Sequence, residues 1–274
     1  MFFKYMRASL LILFVSLLFM SCSQYQKVLR GDDSGQKYAM ADSLYQIGKY
    51  KKALQLMEQI VPVYRGKPQA EKLMFMYANT FYNLEDFYLA GYQFERFETS
   101  YPKSDSVELA SYRSARSYYE LSPRYSLDQK DTDTGLEKLQ KFINSYPNSE
   151  HRLEINTLVS ELRYKKEKKE IEVAKQYLRI SDYKAAIAAF DNFITDNPGS
   201  EFRKEAFFGR IEAAYKLAIN SIPQLVPERL EQAQVYYNNF AKYYKDSDLK
   251  ADADKISEDI QLRLRTLEET TSLK

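Results

Sequence analysis

The side chains with the most distinctive chemistry in this sequence are Cys22 and His151, because each is the single residue of its type among 274. One cysteine allows no disulfide within the chain and no metal cluster built on several thiolates. His151 lies in NSEHRLE, where we expect a solvent-exposed histidine at the start of a helix, with no sequence partner for a triad or metal site. Gly-rich phosphate loops and paired-carboxylate motifs do not stand out either. We therefore predict that the chain is not an enzyme and needs no cofactor and no metal.

The position of Cys22 indicates a covalent modification. Basic residues precede an apolar run from Ala8 to Met20, and Cys22 follows two residues later. The run is shorter than the roughly 20 residues of a membrane-spanning helix and is typical of a secretory signal. It resembles a bacterial lipoprotein signal, in which the cysteine is acylated and the chain is cleaved before it. We predict a signal peptide over 1–21 and a lipidated tether over 22–34; an ordinary signal that ends in cysteine is the alternative.

The charge pattern argues against a nucleic-acid partner. The net charge is +2, and 28% of the residues are charged. The densest charged run, RYKKEKKEIE over 163–172, mixes both signs and favours a solvated helix face over a phosphate-binding patch. We predict no binding of nucleic acid.

A short motif recurs along the chain, with a Phe five residues before a Pro that is followed by Ser and an acidic residue. The copies read YPKSD at 101–105, YPNSE at 146–150 and NPGSE at 197–201, with a degenerate YKDSD at 244–248. Proline cannot continue a helix, and a following serine can cap the next one, with an acidic residue at its positive end. Each copy is therefore predicted to end one helix and begin another.

The segments between these junctions resemble tetratricopeptide repeats, which are helical hairpins with small residues, a central aromatic and a closing proline. The matches in the second and fourth repeats are Ala78, Phe81, Ala90, Phe94, Phe97 and Pro102, and Ala174, Tyr177, Ala186, Phe190, Phe193 and Pro198. Alanines let two helices approach closely, and the phenylalanines fill the space between hairpins. We predict an all-α fold, a single tetratricopeptide-repeat solenoid of about five hairpins over 35–268, with a flexible tail over 269–274.

The repeats are longer than the typical period of about 34 residues. The Ala or Gly that opens each second helix falls at positions 53, 90, 135, 186 and 233. Extra residues collect at 122–133 and 220–229, and an unbroken helical pattern over 150–180 predicts one unusually long helix.

The chain resembles the BamD family of the outer-membrane β-barrel assembly (BAM) machinery. The resemblance lies in the two insertions, the long helix, Cys22 and the FxxxYPxS[DE] junctions. The resemblance implies a lipoprotein anchored in the outer membrane and facing the periplasm, and Ser23 after the cysteine is similar to lipoproteins sent there. It implies two partners: the POTRA-bearing barrel assembly protein and unfolded outer-membrane protein precursors. The alternative is another periplasmic scaffold lipoprotein that serves cell-envelope or peptidoglycan assembly.

The resemblance also implies a docking residue in the fifth repeat. In the family, a basic residue after an Ala-Tyr pair contributes to the POTRA contact. Here the pair is Ala214 and Tyr215, and Lys216 is the basic residue. Lysine lacks the planar fork with which arginine pairs a carboxylate. A surface lysine without a role is the alternative.

Repeat geometry places a second set of residues on the concave groove of the first three repeats. We call this set the stripe: Tyr38, Tyr45, Phe75, Asn79, Tyr82, Tyr112, Arg116 and Tyr119. The equivalent positions of the fourth repeat, among them Lys168 and Leu178, are not aromatic. We predict that the stripe receives the aromatic-ended terminal segment of barrel precursors. The alternative is that its tyrosines pack between helices.

Overall fold

A computed structural model describes residues 24–272, with side chains described up to residue 269. Cys22 and the predicted signal lie outside the described residues. The described chain consists of α-helices and one 3-10 helix, without β-strands, which confirms the all-α class. The helices are α1 (24–30), α2 (Ser34–Gln46), α3 (Tyr50–Tyr64), α4 (Ala70–Asn83), α5 (Phe87–Ser100), α6 (Val107–Glu120), α7 (Lys130–Ser145), α8 (Arg152–Arg179), α9 (Tyr183–Asp196), α10 (Arg203–Ile219), the 3-10 helix Pro223–Leu225, α11 (Val226–Tyr243) and α12 (Lys250–Ser272).

The chain divides into two compact units. The first comprises the described residues up to Ser122 together with Lys130–Val159, and the second comprises Pro123–Gln129 and the residues from Ser160 onward. Helix α8 contributes residues to both units. The single solenoid over 35–268 stays a prediction.

Consecutive helices pair in the first unit, α2 with α3, α4 with α5 and α6 with α7. Ala53 and Ala90 are fully buried where paired helices approach, and Phe94 and Phe97 are fully buried beside them. Phe142 fills the equivalent place on α7. The small and aromatic residues that carried the repeat pattern therefore form the core, and the helical-hairpin repeat is confirmed.

The second unit follows the same packing rule. Helices α9 and α10 pack on each other, as do α10 and α11. Its core contains Phe190, Phe193 and Phe240, with Ala186 buried among them. Gly209 on α10 faces the Phe190 ring so closely that an added Cβ would lie 2.8 Å from ring atom Cε1. Only a glycine allows α9 and α10 to approach to this distance.

The junctions end the helices as predicted but begin the next helix later. α5, α7 and α9 all end two residues before the junction proline. In all four copies the serine hydroxyl accepts a hydrogen bond from the backbone N–H two residues later. The donor and acceptor pairs are Ser106 and Ser104 at 3.1 Å, His151 and Ser149 at 3.2 Å, Phe202 and Ser200 at 3.2 Å, and Leu249 and Ser247 at 3.1 Å. The serine closes a turn first, and the α-helix begins three residues after it.

The insertions and the ends of the chain add local detail. The predicted long helix is confirmed as α8. In the insertion before α7, the Gln129 side-chain amide donates to the carbonyls of Arg124 and Leu127, both at 3.0 Å. The predicted tether contains α1, whose Tyr25 is buried and donates from its hydroxyl to Gln55 Oε1 at 2.6 Å. Helix α12 continues to Ser272, into the segment predicted as a tail.

Candidate partner-binding surfaces

The stripe lies on the first helix of each hairpin in the first unit, since its residues belong to α2, α4 and α6. Spacings of three, four and seven residues place the members from one helix on one face. Asn79 is 1% exposed, and the other seven are half-buried. The stripe is therefore a partly covered surface.

The first residues of the stripe pack between helices. Tyr38 stacks on Tyr64 of α3 with ring centroids 5.3 Å apart. Phe75 lies with its ring centroid 5.2 Å from that of Phe97 in the core. Tyr45 meets Tyr50 edge to face at 5.6 Å. These three rings contribute to hairpin packing as well as to the half-buried surface.

An arginine that sequence reasoning missed lies beside the middle of the stripe. Arg113 on α6 donates a hydrogen bond to Asn79 Oδ1 and lies with its guanidinium carbon 5.7 Å from the ring centroid of Tyr82. The Asn79 amide nitrogen donates to the Phe75 carbonyl at 3.0 Å. Burial raises the pKa of Tyr45, and the charge of Arg113 opposes that shift. Arg113, Asn79 and Tyr82 thus form a connected polar and aromatic group.

The far end of the stripe is an ionic cluster. Arg116 forms an ion pair with Glu154 of α8, and the Tyr112 hydroxyl donates to the same carboxylate at 2.8 Å. The ring of His151 stacks on Tyr112 with centroids 3.9 Å apart and planes 14° apart. The prediction of a solvent-exposed histidine is therefore wrong, since the His151 side chain is 25% exposed and covered by Tyr112. Tyr119 is half-buried on the same helix.

The second unit contains a cavity of about 540 Å³ formed by the end of α8, by α9 and α10, and by the turn before α12. Its lining combines apolar side chains, including Leu178, Phe190, Phe208 and Leu249, with lysines and carboxylates. Each lysine of the lining has an acidic partner: Lys175 pairs with Glu205, Lys204 with Asp248 at 2.5 Å, and Lys216 with Glu212 at 2.7 Å. The cations of this cavity are neutralised within the unit.

The two residues implied for POTRA docking face different surroundings. The Tyr215 hydroxyl donates to Asp259 Oδ2 of α12 at 2.6 Å, and burial together with that carboxylate raises its pKa. Lys216 lies on the cavity lining, with its side chain 40% exposed and its ammonium held by Glu212 one helical turn earlier. Lys216 is accessible to a partner, whereas Tyr215 joins α10 to α12.

A metal centre and a membrane-spanning helix are both absent from the part of the chain that the structure describes. No group of three or more His, Cys, Asp or Glu side chains within residues 24–269 is arranged to hold a metal ion. Among the described helices, none is both long and apolar enough to cross a membrane. Whether the chain lacks enzymatic activity stays a prediction.

Comparison with known proteins gives the family. The profile of the family YfiO, described as "Outer membrane lipoprotein", matches residues 31–225, well over half of the chain. A similar protein is the "Outer membrane protein assembly factor BamD" of Caulobacter vibrioides (strain ATCC 19089 / CIP 103742 / CB 15), 27% identical over 126 residues. The match covers 46% of this chain and 41% of that relative. The predicted outer-membrane localisation and the suspected family are thereby confirmed: the chain belongs to the YfiO family of outer membrane lipoproteins, the BamD type that its sequence resembles.

Proposed function

We propose that the chain is a lipid-anchored, periplasm-facing component of the outer-membrane β-barrel assembly complex. In this role the stripe receives unfolded outer-membrane protein precursors, and the surface around Lys216 docks the POTRA-bearing barrel subunit. Family membership and the assembly role in the relative's name support the assignment. The observation that carries it is the stripe itself, half-buried aromatic rings on three consecutive hairpins.

Physical chemistry favours the stripe as a peptide site. Tyr45, Tyr82 and Tyr112 offer flat apolar rings with a hydroxyl at one end, and each is already partly desolvated, so that burial raises its pKa. Rings held by neighbouring side chains lose little conformational entropy when a ligand covers them. An unfolded precursor with an aromatic end would gain apolar contact here, while polar groups of Asn79 and Arg113 lie beside the rings.

The proposed docking role of Lys216 has a different physical basis. Its ammonium is a flexible point charge that already pairs with Glu212, both on the accessible surface of α10. Exposed pairs of this kind contribute little to stability, about 0–1 kcal/mol, so a partner carboxylate can replace Glu212 at small cost. Charges of this type mainly direct association and orientation.

The peptide role can be tested by replacing Tyr45, Tyr82 and Tyr119 together by Ser. A matched control replaces Tyr88, Tyr92 and Tyr243, which are 69%, 50% and 57% exposed and lie outside the stripe. With both variants shown to be folded by circular dichroism, we expect the affinity for an aromatic-ended precursor peptide to fall at least tenfold in the stripe variant alone. Unchanged affinity in a folded stripe variant would refute the groove.

The scaffold alternative predicts different partners. A protein that organises peptidoglycan or envelope assembly would copurify with envelope enzymes, whereas the proposed role predicts a POTRA-bearing barrel protein. Affinity purification from solubilised outer membranes with a C-terminal tag separates the two.

A further inference from the structure

The turn between α2 and α3 exposes an apolar residue beside three lysines. Ile47 at its tip is 61% exposed, and Gly48, with a φ of 73°, lets the chain reverse direction there. Lys49, Lys51 and Lys52 follow, and all three are exposed. Among the described residues, no carboxylate forms an ion pair with any of them. The α2–α3 turn therefore presents an apolar tip with a positive charge that the first unit does not neutralise.

These lysines stand where a helix prefers a negative charge. The first turn of a helix carries a partial positive charge, so acidic residues stabilise it and cations destabilise it. At the corresponding turns before α5 and α9, Asp86 and Asp182 cap the helix, and each carboxylate accepts a backbone hydrogen bond at 3.2 Å. Helix α3 has neither a side-chain cap nor an acidic residue in its first turn. A position that departs from a rule obeyed elsewhere in the same fold is a candidate functional surface.

The start of the described chain is fixed beside this turn. Tyr25 of α1 is 6% exposed, donates to Gln55 Oε1 at 2.6 Å and lies with its ring centroid 5.1 Å from Lys52 Nζ. Only two residues separate Tyr25 from Cys22. Even a fully extended connection of this length spans only about 11 Å. An acyl anchor at this cysteine therefore brings the start of α3 to the headgroup layer of the bilayer.

Charge distinguishes this turn from its neighbour. The turn between α4 and α5 contains Glu85 and Asp86, both exposed, in place of the lysines. Anionic headgroups repel these carboxylates and attract the lysines of the first hairpin. A contact with an anionic membrane is therefore limited to the first hairpin.

We propose that the α2–α3 turn docks on the bilayer surface, with Ile47 among the headgroups and with Lys49 and Lys51 against anionic phospholipids. This inference rests on the proposed function, since it requires the lipid anchor at Cys22. A basic patch next to an acyl anchor adds an attraction to anionic lipids that the anchor alone lacks. The anchor thus attaches the chain, and the docked turn fixes the orientation of the first unit against the membrane.

The test measures the depth of single fluorophores on the acylated mature chain in lipid vesicles. Acylation blocks the Cys22 thiol, so Gln46→Cys or, in a second protein, Gln69→Cys provides the single site for an NBD label. Both glutamines are exposed, and the 15 residues of α3 lie between them, a length of about 22 Å. The vesicles contain phosphatidylethanolamine, phosphatidylglycerol and a lipid with a nitroxide on its headgroup. The nitroxide should quench the label at position 46 and leave the label at position 69 unquenched.

The role of the lysines is tested by replacing Lys49 and Lys51 together by Gln. Each lysine near an anionic surface shifts the ratio of docked to undocked chains about fivefold, so the double variant should lose at least about half of the quenching at position 46. Lys52 is kept because it supports the docking of α1 on α3. The matched control replaces Lys67 and Lys103, which are exposed in other parts of the first unit, by Gln and should leave the quenching unchanged.

A change of lipid tests the same point without a variant. Replacing phosphatidylglycerol by phosphatidylcholine should lower the quenching at position 46 to the level of the double variant. Quenching that survives both changes overturns the proposal, because the short tether alone then holds the turn near the bilayer. Equally strong quenching at positions 46 and 69 overturns it as well, because the hairpin then has no fixed orientation.

The remaining outcomes separate the docking from the anchor beneath it. A mature chain that carries no acyl group by mass spectrometry refutes the anchor and the docking proposal with it. An acylated chain that is retained on vesicles with an unquenched label at position 46 refutes the docking alone and favours a protein partner for the lysines.

Discussion

The stripe of the first unit and the cavity of the second unit combine the same ingredients and differ in how their charges are balanced. Both have aromatic or aliphatic surfaces with cations beside them. Lys204 and Lys216 on the cavity lining have carboxylate partners at 2.5 and 2.7 Å. Arg113, beside the stripe, contacts a neutral amide and a ring, and no carboxylate of the described residues pairs with it. The difference indicates that the lysines of the cavity are neutralised within the second unit, whereas the stripe presents half-buried rings beside a cation without such a partner.

The balance of charge suggests different modes of recognition. A surface whose ion pairs are complete can bind a folded partner by exchanging one carboxylate for another, which affects orientation and association rate. A surface of half-buried aromatic rings gains mainly from the apolar contact that a ligand adds. The first mode suits the proposed POTRA contact, and the second suits the proposed capture of an aromatic-ended precursor segment.

The largest expected effect is a loss of stability from a substitution that damages the cavity of the second unit and leaves the stripe unchanged. Gly209→Ala should push the Phe190 ring from its place in the cavity wall, because the new Cβ would lie 2.8 Å from ring atom Cε1. We expect a loss of about 2 kcal/mol in the free energy of unfolding, from an overpacking cost of up to about 3 kcal/mol that helix propensity offsets by roughly 1 kcal/mol. Urea denaturation measures it.

A matched change in the first unit is Gly91→Ala, whose Cβ would lie 2.9 Å from Cε2 of the half-buried Tyr118 ring. The Tyr118 ring is only half-buried, whereas Phe190 is fully buried, so the loss should be smaller. Equal losses in both variants would contradict the tighter packing of α9 on α10. Peptide binding by the stripe should survive Gly209→Ala.

A change at the centre of the stripe should alter both stability and recognition. Asn79→Ala removes the buried acceptor of Arg113, at a cost of about 1–3 kcal/mol in the free energy of unfolding. The affinity for an aromatic-ended precursor peptide should fall severalfold because the guanidinium beside the Tyr82 ring is no longer held. Thermal denaturation and peptide anisotropy measure the two effects.

The exposed neighbour Asn83 is a suitable control, since its amide donates to the Asn79 carbonyl at 2.8 Å without touching Arg113. Asn83→Ala should leave the peptide affinity unchanged. A similar loss of affinity in both variants would argue against a specific link between Asn79 and Arg113.

Charge reversal on the cavity lining should weaken partner docking with little effect on folding. Lys216→Glu replaces the pair with Glu212 by a like-charge contact. We expect about 0.5 kcal/mol of lost stability and roughly a fivefold slower association with a purified POTRA fragment, an effect that salt should reduce. Surface plasmon resonance at two salt concentrations measures it. Lys242→Glu, an exposed reversal on α11, should have no comparable effect.

The smallest expected effect is on how the stability of the first unit depends on pH. Burial raises the pKa of Glu98, although Lys141 lies 3.6 Å from its carboxylate and opposes the shift. A raised folded-state pKa means that the folded chain keeps this proton to higher pH than the unfolded chain, so the stability contribution is present at low pH and is lost as pH rises through the raised value. Glu98→Gln should remove that slope, a change of about 0.5 kcal/mol or less.

Urea titrations between acidic and neutral pH measure the effect of Glu98→Gln. Glu58→Gln at an exposed position controls for the loss of one charge. A pH slope that is the same with and without Glu98 would refute the assignment.

Most of the fold could be predicted from local sequence rules. Prolines such as Pro102 act on their own helix, and the core positions of Phe94 and Phe97 follow from helical spacing. Helix α8 was predicted because nothing in residues 150–180 interrupts the pattern. The helix starts after Ser104 and Ser149 were placed too early, since the same hydroxyl bond can close a turn before the helix begins.

The site was only partly predictable because its chemistry depends on contacts between helices. Arg113 lies one residue from the periodic position of Tyr112, and its long side chain reaches Asn79, which is 34 residues away. That no described carboxylate pairs with Arg113 is a property of the folded chain. His151 lies in the junction before α8, and Tyr112 lies on α6. Their stacking is therefore a contact between two elements, which spacing rules within one helix do not describe.

The most direct test of a division of labour between stripe and cavity is photocrosslinking in the native outer membrane. A photoreactive residue is placed at Tyr82 in one strain and at Lys216 in another, and the captured proteins are identified by mass spectrometry. The account predicts capture of nascent barrel precursors at Tyr82 and of a POTRA-bearing barrel protein at Lys216. Capture of only envelope-remodelling proteins at both positions would contradict it and favour the scaffold role.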